Sequence, residues 1–82
     1  MEKVKDLQLI SKLLTEINKL KGVKNLELID VPEDVEADIG ILLKLKKGYS
    51  WKDINKKISD LVWDIFEKNG EYIAVYREFK ES

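Results

Sequence analysis

The chain contains no cysteine and no histidine among its 82 residues. Without cysteine it forms neither disulfides nor a thiolate nucleophile. Without histidine it lacks the commonest general base and the commonest metal ligand. Any chemistry must therefore rely on carboxylates, amines or hydroxyl groups. A chain of this length has room for one core, so residues 1–82 are expected to form a single domain.

Arginine, proline and long apolar runs are also scarce. Fifteen residues are basic, but Arg77 is the only arginine, and the net charge is −1. A balanced charge argues against a dedicated nucleic-acid binder, which usually carries a positive excess. The lysine-rich and glutamate-rich composition fits a thermophile protein, although an A/T-rich genome gives similar lysine enrichment. No apolar run reaches membrane-spanning length and no signal-peptide pattern opens the chain, so we expect a cytoplasmic protein.

Hydrophobic periodicity and turn residues predict five elements in the order α-β-β-α-β. The predicted elements are a helix over Val4–Lys21, strands over Val23–Val31 and Asp38–Lys46, a helix from Ser50 to about Lys68, and a strand over Glu71–Lys80. Ser50 is a suitable N-cap for the second helix, and Asn69-Gly70 is a stop signal.

These elements predict an α+β fold with two helices on one face of a three-stranded mixed sheet. Alternation in the second strand directs four aliphatic side chains toward the helices. The other face is expected to carry Leu42, Lys44, Tyr72, Ala74 and Tyr76. This open face favours self-association as a homodimer, or it is covered in a monomer by its own tyrosines and lysine. Trp51 falls on the apolar face of its helix and is expected in the core.

Three segments resemble the minimal nucleotidyltransferases of the DNA-polymerase-β-like superfamily, whose members are often paired with HEPN proteins. Leu20–Leu26 resembles the family's entry into the first strand, and Ala37–Leu43 resembles its second strand. Ile58–Ile65, followed by Asn69-Gly70, resembles its second helix and exit. The resemblance implies the same α-β-β-α-β core over nearly the whole chain. It also implies a partner, either a second copy or a HEPN-like protein.

The family's chemistry requires a Gly-Ser turn for the nucleotide phosphates and three carboxylates for two divalent metal ions. Here Ile29–Pro32 replaces the Gly-Ser turn. Asp38 matches the first carboxylate, and Gly40 occupies the position of the second. Ala74 and Tyr76 stand where the third is expected. The resemblance therefore implies a degenerate site, with Asp38 as a vestigial metal carboxylate and with no cofactor.

An acidic loop joins the first two strands and permits three interpretations. Its carboxylates, with Asp38, could bind Mg²⁺ or Ca²⁺ through oxygen ligands, could form a solvated acidic turn, or could dock a basic partner. The candidate metal ligands are Asp38, Asp30, Glu33 and Asp34.

Two further features bear on partners. Trp63 lies on the polar face of its helix, where a large aromatic side chain suggests a protein contact or partial burial against the first helix or the chain end. Lysines near Tyr49 and Trp51 could contact nucleic-acid phosphates or be solvated. The lysines of this patch are Lys44, Lys46, Lys47, Lys52, Lys56 and Lys57.

The sequence thus predicts a catalytically degenerate binding or regulatory module, similar to an antitoxin, that acts through protein contacts. Its expected interaction residues are Trp63, Leu42, Tyr72 and Tyr76. The first alternative is a nucleotidyltransferase with a reduced or shared site that uses Mg²⁺ and a nucleotide. The second is a small nucleic-acid-binding protein.

Overall fold

The fold was obtained as a computed structural model and is described for residues 6–81. Its elements follow the order α1 (Leu7–Asn18), β1 (Val23–Ile29), β2 (Ile39–Leu45), α2 (Trp51–Asn69) and β3 (Val75–Lys80). The three strands form one sheet in the order β1-β2-β3. In the described part of the chain, neither helix has the length and apolarity needed to cross a membrane.

Helix α1 begins after Asp6, whose carboxylate accepts a hydrogen bond of 2.8 Å from the backbone N–H of Gln8. This is an N-cap. The predicted start at Val4 lies outside the described residues. The helix ends at Asn18, and a turn leads to Gly22. Gly22 has a φ of +101°, and a β-carbon there would overlap the ring of Tyr49. Glycine is therefore required where the chain enters the sheet.

Strands β1 and β2 form an antiparallel pair in which Leu26 lies opposite Leu43 and Glu27 opposite Leu42. Both strands are shorter than predicted, because pairing stops at Ile29 on one side and begins at Gly40 on the other. The register shifts between Val23 and Asn25, which marks a β-bulge near the start of β1.

Helix α2 has the predicted ends. The Ser50 hydroxyl accepts a hydrogen bond of 3.2 Å from the backbone N–H of Lys52. Gly70 closes the helix in the left-handed conformation, with a φ of +71°. The carboxylate of Glu81 also accepts a hydrogen bond of 3.0 Å from the N–H of Trp51, which ties the end of the described chain to the first turn of α2.

Strand β3 runs parallel to β2, with Val75 beside Ile39 and Phe79 beside Leu43. The strand starts four residues later than predicted, since Glu71 to Ala74 lie outside regular secondary structure. Ile73 in this segment is nevertheless buried in the core. The α+β arrangement, with both helices on one face of a mixed sheet, is confirmed.

The core lies between the helices and the helix-facing side of the sheet. Four alternate residues of β2 point into it, as the sequence alternation predicts. The buried apolar residues are Leu13, Ile17, Val23, Ile41, Leu43, Leu45, Ile54, Ile58, Val62, Ile65 and Ile73. No polar or charged side chain of the described residues is fully buried, so the core itself holds no reactive group.

Candidate functional site

Asp38 joins the start of β2 to the segment before β3. Its backbone N–H donates to the carbonyl of Ala74 at 2.8 Å, and its carboxylate Oδ2 accepts from the N–H of Ala74 at 2.7 Å. The Asp38 carboxylate thus takes the place of the backbone carbonyl that would accept this hydrogen bond if the strand pairing continued by one residue. A charged acceptor on a backbone N–H is a strong hydrogen bond, so Asp38 has a structural role in the sheet.

Gly40 lies on the open side of β2, where the backbone of β1 comes very close. A β-carbon at this position would lie 2.6 Å from the carbonyl oxygen of Ile29. Real β-carbons do not approach a backbone oxygen that closely, so any side chain here requires the end of β1 to move. The strand pairing therefore leaves no room for a side chain at residue 40 unless the end of β1 shifts.

The acidic loop does not gather its carboxylates. Asp30, Glu33 and Asp34 are exposed, as is Asp38. Across residues 6–81, no three acidic side chains lie close enough together to hold a metal ion. The structure thus places the four candidate ligands along the loop and at its end without bringing them into one group.

The open face of the sheet is more polar than the sequence analysis predicts. Leu42 is half-buried between Glu27 of β1 and Glu78 of β3, its neighbours in the register. The Tyr76 hydroxyl donates a hydrogen bond of 2.6 Å to Oε2 of Glu78. This bond, together with slight desolvation and the charges of Glu78 and Asp34, raises the pKa of Tyr76. The Tyr76 hydroxyl is therefore hydrogen-bonded to a residue of the same sheet face.

Tyr72 is not on this face, contrary to the sequence prediction. Because β3 starts only at Val75, the strand alternation does not extend back to residue 72. Its ring lies 5.6 Å from that of Trp63 and 6.2 Å from that of Phe66, measured between centroids. Trp63 and Phe66 are themselves 5.6 Å apart in an edge-to-face arrangement. These three rings form one aromatic cluster on α2 and the segment that follows it.

The cluster is open to solvent. Trp63 is 53% exposed, Tyr72 43% and Phe66 39%. Trp63 therefore stands on an outward face of α2, as its position in the sequence indicates. The rings of Phe66 and Tyr72 partly cover it. The sequence predicts either a protein contact at Trp63 or its partial burial against the first helix or the chain end.

Trp51 does not enter the core, and the prediction that it would is wrong. The side chain is 43% exposed and packs on Phe79 of β3, with ring centroids 5.9 Å apart. The ammonium of Lys52 lies 6.0 Å from the indole centroid. Trp51 occupies the first turn of α2, at the margin of the sheet, where no further layer covers it.

Arg77 lies between these two aromatic groups. Its Nη1 donates to the carbonyl and the side-chain oxygen of Asn55, at 3.2 Å and 3.0 Å, and to Oγ of Ser59 at 3.2 Å. Its Nε donates to the carbonyl of Val75 at 3.3 Å. Burial lowers the pKa of Arg77, while the nearby Tyr72 phenol raises it.

The contacts of the two aromatic groups and of Arg77 all involve one row of side chains on α2, spaced four residues apart. The row consists of Trp51, Asn55, Ser59 and Trp63. Residues four apart share one side of a helix, and each member of this row faces a residue of β3 or of the segment before it. We call the resulting surface the flank surface. It comprises Trp51, Asn55, Ser59, Trp63 and Phe66 of α2 together with Tyr72, Arg77 and Phe79.

Two residues of the flank surface, Trp63 and Tyr72, are predicted from the sequence as interaction residues, whereas Arg77 is not. Arg77 shares one face of β3 with Val75 and Phe79, and this alternation in the sequence indicates that its side chain points toward α2. The other predicted interaction residues, Leu42 and Tyr76, lie on the open face.

The lysine patch is interrupted by acids. Lys56 and Lys57 share a shallow groove on α2 with Asp53 and Asp60, beside Tyr49. Alternating charges give a weaker positive field than a run of lysines. The groove therefore offers mixed charge to a phosphate backbone.

No protein-family model matches the chain, and no curated protein sequence matches it. The resemblance to minimal nucleotidyltransferases thus stays a prediction from the residues quoted above.

Proposed function

We propose that the chain is a non-catalytic protein-binding module, and that a partner docks on the flank surface. The observation that carries this proposal is the distribution of exposed apolar side chains. Seven large hydrophobic residues of the described chain are exposed, and the four aromatic ones, Trp51, Trp63, Phe66 and Tyr72, all lie on the flank surface. The three aliphatic ones, Leu7, Leu28 and Val35, lie elsewhere.

The composition of the flank surface supports this role. Tryptophan, tyrosine and arginine dominate the residues whose loss most weakens protein complexes. The flank surface contains both tryptophans of the chain and its only arginine. Trp51 and Trp63 are separated by twelve residues of helix, which corresponds to about 18 Å along the axis. A patch of this length suits a peptide segment or the edge of a second domain.

The geometry around Asp38 and Gly40 supports a binding role over a catalytic one. The carboxylate of Asp38 accepts a hydrogen bond from Ala74, and a side chain at Gly40 would require the end of β1 near Ile29 to move. A chain with the nucleotidyltransferase scaffold and this site would act as a regulatory module in the cytoplasm. Under that resemblance its partner is a second copy of itself or a HEPN-like protein.

The experiment compares three versions of the tagged full chain: wild type, the double variant Trp51→Ala/Trp63→Ala, and Leu28→Ala as an exposed control away from the flank surface. Light scattering after size exclusion reports self-association, and affinity capture from source cells reports other partners. We expect wild type and Leu28→Ala to share a partner or a dimer that the double variant loses.

Wild type that stays monomeric at all concentrations and captures the same proteins as the double variant would overturn the proposal. Heat released on mixing wild type with ATP and Mg²⁺ in calorimetry would favour the enzyme alternative instead.

A further inference from the structure

The charge of Arg77 is not balanced within the described chain. Its four hydrogen-bond acceptors are carbonyl, amide and hydroxyl oxygens, all of them uncharged. No carboxylate among residues 6–81 forms an ion pair with it. Its strand neighbour Glu78 points to the opposite face, where it accepts the hydrogen bond from Tyr76. A half-buried cation is stabilised most by an opposite charge, and the fold supplies only neutral oxygens.

One nitrogen of the guanidinium remains available. The four bonds use Nη1 and Nε, and no acceptor within residues 6–81 is bonded to Nη2. No buried side-chain nitrogen or oxygen of the described residues lacks a hydrogen-bond partner. Nη2 is therefore reachable from outside the protein. Asn55 and Ser59 accept hydrogen bonds from Nη1, the other terminal nitrogen of the guanidinium. Because the guanidinium is planar, these bonds also fix the direction of Nη2.

Strand β3 is an edge strand of the sheet. Arg77 also blocks the addition of a partner's strand to this edge. The carbonyl of Ala74 points toward β2, where it accepts from the N–H of Asp38. The next carbonyl, that of Val75, therefore points outward, and Nε of Arg77 occupies it. A charged side chain over an edge carbonyl is a known protection against strand addition. The geometry favours a partner that contacts side chains over one that extends the sheet.

Resting on the proposed protein-binding function, we infer that the flank surface takes an acidic peptide segment, in which an aspartate or glutamate pairs with Nη2 of Arg77 and apolar residues on both sides contact the two aromatic groups. Trp51 with Phe79 forms one apolar end, and the cluster around Trp63 forms the other. The aromatic rings exclude water around the ion pair, an arrangement typical of binding hot spots.

The spacing of the segment follows from the helix. Arg77 bonds to Asn55 and Ser59, which lie midway between Trp51 and Trp63. Each aromatic end is therefore about 9 Å from the arginine along the helix axis. An extended chain advances about 3.3 Å per residue. The apolar residues of the partner should lie about three positions before and after its carboxylate.

A nucleic-acid phosphate is the less favoured occupant. Arg77 is the only arginine of the chain, and it is the only cationic side chain among the residues that form the flank surface. Phosphate recognition along a strand uses several cations, whereas one carboxylate requires only one.

The test is selection of random peptides displayed on phage against the full chain. Wild type should enrich peptides with an acid flanked by apolar residues at the spacing given above. Arg77→Glu should instead enrich lysine or arginine at the central position. Lys80→Glu is the matched control, because it makes the same charge change on the other face of the same strand and should keep the preference for acid. If Arg77→Glu does not fold by circular dichroism, Arg77→Gln should lose the preference.

Affinity of a selected peptide, measured by fluorescence anisotropy, should fall by about 30-fold or more in Arg77→Gln. Selection of apolar peptides without an acid would overturn the inference and leave the proposed function standing. No enrichment by wild type over Trp51→Ala/Trp63→Ala would remove both. Retention of labelled oligonucleotides that depends on Arg77 would assign the surface to nucleic acid, and a dimer dissolved by Arg77→Gln would assign it to a second copy.

Discussion

The open sheet face and the flank surface differ in whether their aromatic and charged side chains find partners within the fold. On the open face, the Tyr76 hydroxyl donates a hydrogen bond to Glu78, and Leu42 is half-buried between charged neighbours. On the flank surface, four aromatic side chains are exposed and Arg77 has no acidic partner within residues 6–81. The open face pairs the hydroxyl of Tyr76 with a carboxylate, whereas the flank surface leaves aromatic area exposed and gives Arg77 only uncharged acceptors among residues 6–81.

The difference shows that exposure alone does not identify a binding surface. Both surfaces carry aromatic and charged residues at alternating positions of β3. They differ in whether those residues neutralise one another. A flat sheet with cross-strand polar neighbours can satisfy its side chains pairwise. A helix flank beside an edge strand has neighbours on only one side.

Gly40→Asp gives the largest expected effect. It places a carboxylate on the open face at the position where the nucleotidyltransferase resemblance expects one. The side chain must displace the end of β1 near Ile29, and overpacking of this kind costs about 3 kcal/mol of unfolding free energy. Lys44→Asp is the control, since it places an acid on the same face of the same strand. Urea denaturation measures both. If Gly40→Asp is as stable as Lys44→Asp, the strand pairing does not explain the glycine.

Trp63→Ala separates binding from stability on the flank surface. We expect it to weaken a partner or a selected peptide by about 30-fold. Because half of its side chain is exposed, the unfolding free energy should fall by only about 1 kcal/mol, below the range for buried aromatics. Leu42→Ala, on the open face, should leave binding unchanged. Equal losses of binding in the two variants would remove the distinction between the surfaces.

Most of the fold could be predicted from the sequence, because its signals are local. The Ser50 cap, the Asn69-Gly70 stop and the alternation of β2 each depend on neighbours within a few residues. The errors occur where tertiary contacts decide. The strand pattern of Glu71–Lys80 continues through Tyr72, but pairing with β2 begins only at Val75. Periodicity does not show where pairing begins.

The candidate site was less predictable for the same reason. Trp51 satisfies the apolar pattern of its helix, yet it lies where the sheet ends and nothing further covers it. Arg77 carries a signal in its alternation, but its importance depends on which acceptors surround it. Side-chain satisfaction is a property of the folded neighbourhood, so neither residue type nor spacing reveals it.

Asp38→Ala tests the structural role of the carboxylate. Removing the acceptor of the Ala74 N–H should lower the unfolding free energy by about 1.5 kcal/mol, the low end for a hydrogen bond to a charged group, because Asp38 is exposed. Asp38→Asn keeps an oxygen acceptor and should recover most of the loss. Glu36→Ala, a neighbouring exposed acid, is the control. Amide exchange of Ala74 should accelerate only in Asp38→Ala. Loss of Mg²⁺ binding without loss of stability would restore the carboxylate to the metal-ligand hypothesis.

The smallest expected effect concerns Tyr76, whose pKa is raised above its ordinary value of 10.0 by its hydrogen bond to Glu78, by slight desolvation, and by the charges of Glu78 and Asp34. The folded state holds the phenolic proton more tightly than the unfolded state, so this contribution is complete below pH 10.0 and is lost as the pH rises through the folded value. Phenolate absorbance during an alkaline titration should contain a late component.

Tyr76→Phe should remove that component, and Glu78→Gln should shift it to lower pH, because it removes the charge that opposes ionisation. Phenylalanine keeps the ring on the sheet and loses only the hydroxyl, so partner binding should be unchanged in Tyr76→Phe. A loss of binding in this variant would place the open face within the interface. The contrast between the two surfaces would then fail, because a hydroxyl already bonded to Glu78 would also be contributing to recognition.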